Sequence, residues 1–465
     1  MIFSSILFLF YFLPVFLIVY FILPKSFKNL AIFIGSLFFY AFGEPKYILI
    51  MLVEIFLSYF FALLIEKNRD RKSGLYLTVV SVILIVSFLL YFKYTNFFID
   101  CFNGLTGSQL AFLDIVLPIG ISFYTFQIIS YTIDVYRGKC AVLHSFIKLG
   151  AYITMFPQLI AGPIVRYSDI SLALDNRCLS IDKIAIGIKR FAIGLAKKVI
   201  VANTIGEIVA LYPVVEHSVL FIWIFAISIC LQLYFDFSGY SDMAIGLGHI
   251  LGFDFPENFR HPFESRSVTE FWRRWHISLG NWFRDYIYIP LGGNRVSFLR
   301  WILNIAIVWF ATGFWHGAAF NFILWGLYFA LFLVIEKLWL RKWLDKLRIF
   351  SHIYLLFIII ISFIIFNFTS LSEGFSCIGM LFGFNGIPLY NAFSVYCLRN
   401  YIVIIVAAII GSTSLPGRIV AKIKEVSFIK AIFPLMEIIF VMAIFVIVTA
   451  FLVNGSYNPF LYFRF

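Results

Sequence analysis

The stretch WILNIAIVWFATGFWHGAAFNFILWGLYFALFLVIE, Trp301–Glu336, decides the fold class. Its 36 residues are too many for one crossing of a bilayer and enough for two short ones, since about 20 apolar residues cover the hydrocarbon core. Basic residues flank both ends, Arg295 and Arg300 before it and Lys337, Arg341 and Lys342 after it. Positively charged flanks belong on one side of a membrane, so the stretch must turn and come back. The turn is expected near Gly313–Gly317.

The same pattern recurs along the whole chain. Of its 465 residues 62% are hydrophobic and only 13% charged, a balance that excludes an ordinary soluble domain. Strand-like alternation is missing, which excludes a β-barrel. Apolar runs fall at roughly 4–23, 29–42, 47–65, 76–92, 112–136, 185–212, 217–238, 352–369, 399–415 and 430–452. With the pair in 301–336 they predict an all-α, polytopic membrane protein of about 12 spans, both termini outside. The run 146–165 contains Pro157, Gly162 and Pro163, so it reads as re-entrant. The first run has no basic n-region or small-residue cleavage pattern and reads as a retained span.

Loops are too short for a separate folded body, so the expectation is a single membrane-embedded domain over 1–465. Within it, N-terminal spans occupy 1–110, a motif-bearing core 111–340 and C-terminal spans 341–465. The formal charge of +12 sits in loops between apolar runs, which fits the lipid bilayer as partner and not nucleic acid. Six scattered cysteines predict neither disulfides nor a metal site.

Within these apolar runs a few polar residues stand out. His316 lies where an ionisable ring is expensive, and such residues face a bundle interior, a cavity or a partner. Gly313 and Gly317 form a small-xxx-small pair beside it, Trp315 offers a stacking surface and Asn321 an amide. These residues alone leave a structural histidine and a general base as equal readings. The segment 253–300 mixes Arg and Trp, as helices at a membrane interface do. A helix over Trp272–Phe283 would align Trp272, Trp275, His276, Leu279 and Phe283 on one stripe. Arg274 or Arg284 would clamp an anionic donor. Asp236 and Asp242 need cationic partners, for which Arg273, Arg274 and Arg284 are the candidates. No nucleotide-binding loop, HExxH or GxSxG elbow is present.

Three stretches, FDFSGYSDMAIGLG (Phe235–Gly248), FPENFRHPFESRSVTEFWRRWHISLGNWFRDYIYIPLGGNR (Phe255–Arg295) and ATGFWHGAAFNFILWG (Ala311–Gly326), closely resemble the bacterial branch of the membrane-bound O-acyltransferase family. The likeness is strongest to the branch that O-acetylates alginate, and it runs in order from about Pro118 to Glu336. The resemblance implies helices around a central funnel or tunnel, and acyl transfer to a hydroxyl. It makes His316 the family's intramembrane histidine and His276 its second.

Acyl-CoA, acetyl-CoA in the first instance, would be the donor substrate, with no bound cofactor. The acceptor would be an exported polysaccharide or an extracytoplasmic acyltransferase partner that relays the group. A multi-pass place in the bacterial plasma membrane follows. D-alanyl transfer to teichoic acid, peptidoglycan O-acetylation and a proton-coupled transporter or flippase remain as alternatives.

Overall fold

The computed structural model describes residues 1–455; the last ten residues of the expected C-terminal segment lie outside the described part. Among the described residues every regular element is a helix, as expected. Eight helices are long and apolar enough to cross a membrane: Pro45–Asn68, Lys72–Thr106, Val219–Leu251, Phe298–His316, Phe320–Lys346, Arg348–Asn367, Ala392–Gly411 and Ser427–Asn454. The remaining expected spans appear as shorter pieces, such as the apolar Phe8–Ile22 and the 14-residue Lys28–Ala41. The run 112–136 is helical only over Ile121–Tyr136, because Pro118 and Gly120, the latter at φ 78°, delay the helix start.

Packing divides the chain into two units, Met1–Phe191 with Met243–Pro256, and Ala192–Asp242 with Glu257–Phe465. The first is built around a cluster of phenylalanines. Phe156 packs on Phe12, Phe16 and Phe39 at centroid distances of 5.4, 5.0 and 5.5 Å. Phe156 opens a one-turn helix, Phe156–Leu159, after the Phe146–Thr154 helix breaks at Met155. Interrupted backbone of this kind is tolerated in a membrane protein only when buried and hydrogen-bonded. Both conditions are met: Phe156 is fully buried and its N–H donates to Ser36 Oγ at 3.0 Å.

The second unit holds the hairpin read from Trp301–Glu336. Its helices are Phe298–His316 and Phe320–Ile335, and the chain turns at Gly317, the expected place. The close approach, however, is not made by Gly313 with Gly317. A Cβ on Gly313 would meet the Phe322 carbonyl, and one on Gly326 would meet the Trp309 carbonyl, so Gly313 and Gly326 face each other backbone to backbone. Gly317 instead makes room for the Phe322 ring. Small residues at such crossings replace the hydrophobic driving force that lipid does not supply.

The segment 257–297 is built into this unit and does not merely lie on it. Val268, Phe271 and Trp275 belong to its buried core, and Trp272 packs on Trp309, Trp325 and Phe329 at 4.7, 5.6 and 4.9 Å. Two carboxylates fasten it further. Glu336 accepts from the Thr269 N–H and Oγ at 3.0 and 2.8 Å, capping the Val268–Arg274 helix, and Glu264 accepts from the Ser414 N–H and Oγ, both at 2.7 Å.

The crossing gives a direct expectation. Gly326→Val forces a side chain into backbone and should lower the melting temperature of the detergent-solubilised protein, at an overpacking cost of about 1–3 kcal/mol. Leu327→Val, at a position 40% exposed, should leave it unchanged.

Candidate active site

His316 is the last residue of its helix and the chain becomes extended at Gly317, so the imidazole stands at the tip of the hairpin, 7% exposed. Three rings pack edge-on against it: Trp315 at 4.9 Å, Trp325 at 5.0 Å and Phe366 at 5.4 Å between centroids. Asn321 holds one wall. Its Nδ2 donates to the carbonyls of Ile365 and Phe366 at 3.4 and 3.2 Å, which positions the Phe366 ring. The Asn321 amide nitrogen is thus engaged with backbone, while its oxygen has no hydrogen-bond partner among the described residues.

His276 comes to the same place by a different route from the one expected. The helix predicted over Trp272–Phe283 is broken into Val268–Arg274 and Ile277–Phe283, and His276 sits between them in the left-handed region at φ 45°. The aromatic stripe across this segment therefore does not form. The break goes with backbone pairing to upstream residues: Arg260 N–H donates to the Arg274 carbonyl at 2.9 Å, and Ile277 N–H to the Asn258 carbonyl at 3.0 Å. A non-glycine residue held in this conformation costs about 1–2 kcal/mol and marks a position the surroundings over-determine.

The turn delivers the His276 ring, 1% exposed, to within 4.6 Å of Phe237 and 6.3 Å of Trp315. One indole thus touches both histidines.

Asn258 fixes the chemistry of His276. Its Oδ1 accepts from the Ser278 N–H and Oγ at 3.3 and 2.9 Å, so the oxygen, not the nitrogen, faces this side. The Nδ2 points the other way, to Ser241 Oγ at 3.1 Å. His276 Nδ1, 3.1 Å from that oxygen, must then be the protonated nitrogen. Nε2 keeps its lone pair, and it has no hydrogen-bond partner among the described residues. Burial, with a smaller contribution from His316, pushes this imidazole well below its ordinary pKa, so it stays neutral. Nothing in the residue pattern near His276 points to Asn258, 18 positions away.

The acidic residues find other partners than the predicted arginines. Asp236 pairs with Lys198 at 2.5 Å, both 2% exposed, and Asp242 with Lys197 at 2.6 Å. The reason is another close approach. A Cβ on Gly239 would meet the Gly194 carbonyl, so the Lys197–Ala202 turn, a π-helical one, lies directly against the Val219–Leu251 helix. Arg274 pairs with Glu270 at 2.6 Å and lies 4.0 Å from Glu264; Arg284 pairs with its neighbour Asp285 at 2.7 Å. Among the described residues no cluster of three metal-ligating side chains occurs.

With this geometry in hand, comparison with known proteins is decisive. Residues 139–380 match the model of the MBOAT, membrane-bound O-acyltransferase, family. The chain belongs to this family. It is therefore a multi-pass membrane O-acyltransferase. It is 43% identical over 344 residues to a probable alginate O-acetylase of Pseudomonas aeruginosa, covering 72% of this chain and 66% of that one. A peptidoglycan O-acetyltransferase of Helicobacter pylori is 35% identical, covering 84% and 81%. A teichoic acid D-alanyltransferase of Bacillus subtilis is 28% identical, covering 58% and 76%. The matched region of this O-acyltransferase contains Asp236, Asp242, Asn258 and both histidines.

Two measurements test the environment just described. Lys198→Met removes the ammonium paired with the buried Asp236 carboxylate and should destabilise the protein, read as a lower unfolding midpoint. For His276, the unfolded pKa is about 6.5 and the folded one lower, so below pH 6.5 the unfolded state binds the extra proton. Stability should therefore fall as pH drops below that value, by up to about 1.4 kcal/mol per pH unit. Melting curves from pH 7 to pH 5 should show His276→Gln losing this component of the slope.

Proposed function

We propose that the protein transfers an acetyl group from a cytoplasmic thioester, acetyl-CoA, to a hydroxyl of an exported polysaccharide or of an extracytoplasmic protein that relays it. The observation that carries this reading is the pair of buried imidazoles on one indole, Trp315. His316 takes the proton of the acceptor hydroxyl while its oxygen bonds to the thioester carbonyl carbon. As the tetrahedral intermediate collapses, the carbon–sulfur bond breaks and the departing thiolate takes the proton from His316. The ester and the free thiol are the products.

His276 contributes a lone pair, not a proton. With Nδ1–H bound to Asn258, its Nε2 is an acceptor that cannot donate to the oxyanion; the single proton of the acceptor hydroxyl goes to His316, and the His276 ring shapes the pocket beside Trp315. The buried indole N–H groups of Trp272 and Trp325 have no acceptor among the described residues, and either suits a developing oxyanion. The aromatic surround keeps water from the thioester.

Arg274 and Arg284 are weaker phosphate clamps than their charge suggests, because each already faces a carboxylate. Twelve crossings and a passage through the membrane, with His316 midway, belong to the same proposal: they would let a cytosolic donor meet an external acceptor.

Acetyl is favoured over D-alanyl as the group moved. The relatives named for O-acetylation are 35–43% identical over most of the chain, whereas those named for D-alanylation are 28–29% identical over little more than half. A transporter reading loses its proton path, since Asp236 and Asp242 are tied to lysines.

The test is acetyl transfer in proteoliposomes from labelled acetyl-CoA to a hydroxyl acceptor. His316→Ala should lower the rate at least about 100-fold, the size expected of a lost general base, at equal protein and equal melting temperature. Undiminished transfer by that variant refutes the assignment.

A further inference from the structure

In the first unit a buried lysine and a half-buried arginine share one aromatic ring. Tyr20 is fully buried, its OH donating to the Leu251 carbonyl at 2.7 Å. Lys28 Nζ lies 4.2 Å from the centre of its ring and the Arg177 guanidinium carbon 5.9 Å from the same centre; the latter is also 4.8 Å from the Phe253 ring. Lys28 is only 6% exposed and donates to the Tyr20 carbonyl at 2.7 Å. Arg177 donates to the Asn29 side-chain oxygen, while its buried Nε has no acceptor among the described residues.

Neither cation has a carboxylate within ion-pair distance among the described residues. The acid closest in sequence to this wall, Asp254, is held by Lys183 at 2.8 Å and His249 at 3.5 Å. Burying a charged group without a counter-ion is costly. Aromatic faces offset only part of this, about 0.5–2 kcal/mol for each contact. A ring shared by two uncompensated charges is a strong demand for an anion. A guanidinium fork beside an ammonium suits the several oxygens of a phosphate.

We propose that Lys28 and Arg177 form a phosphate-binding site, the phosphate being carried by an anionic phospholipid headgroup or by the nucleotide part of the donor. The second source rests on the acyl-CoA reading above; the first does not. The surroundings favour the lipid: Phe21, Ile22 and Phe27 are exposed beside the site, together with Lys25, the mixture found where headgroups meet hydrocarbon.

The full chain in maltoside micelles, which contain no phosphate, provides the test. Short-chain phosphatidylglycerol and, separately, free coenzyme A are titrated, with binding read by native mass spectrometry and calorimetry. Saturable binding of one of them should weaken about tenfold in Arg177→Gln and in Lys28→Gln, the loss expected for one charged hydrogen bond, while Arg177→Lys retains most of it. Loss for phosphatidylglycerol assigns the lipid, and loss for coenzyme A assigns the donor. The proposal is overturned if the wild type binds neither, or if both glutamine variants bind as tightly as the wild type. Acetyl transfer measured on the same variants separates this outcome from the acyl-transfer assignment, which concerns other residues.

Discussion

The backbone contact between Gly313 and Gly326 is the constraint on which the second unit depends. In lipid, apolar side chains gain little from leaving their surroundings, so helices stay together where their main chains can touch. Here that contact lies one turn before His316, and it fixes where the imidazole stands relative to Trp325 on the returning helix. The same two helices carry Trp309 and Phe329, against which Trp272 packs, so the segment bearing His276 is assembled on the hairpin. A pair of missing side chains thus positions both histidines.

Much of this was legible in the sequence, for physical reasons. Membrane class, helical fold and the hairpin of Trp301–Glu336 follow from length and hydropathy, which a bilayer enforces without help from tertiary contacts. His316 stands out because an ionisable ring in an apolar run is costly and must face a bundle interior, a cavity or a partner. Three motif stretches carry the resemblance to the family.

What the sequence hid was hidden by long-range contacts and by local irregularity. Periodicity carried a helix straight through His276, because nothing in FWRRWHISLG announces that the backbone will turn left-handed there; the cause is Asn258 and Arg260, which lie upstream. Arginines looked like natural partners for Asp236 and Asp242 by abundance. The lysines won because Gly239 brings the Lys197–Ala202 turn into contact, and a π-helical turn lets two consecutive residues reach the same neighbouring helix. Gly317 resembled a packing glycine by spacing, and its real task is to clear the Phe322 ring.

Glu336 has a further meaning for how such a protein works. By gripping the start of the Val268–Arg274 helix from the end of the His316 hairpin, it fastens the segment that leads to His276 onto the hairpin that bears His316. Many enzymes assemble their reactive groups only when a substrate arrives and closes a hinge. Here the carboxylate ties the returning helix of the hairpin directly to the segment that leads to His276, so a shift of one is carried to the other.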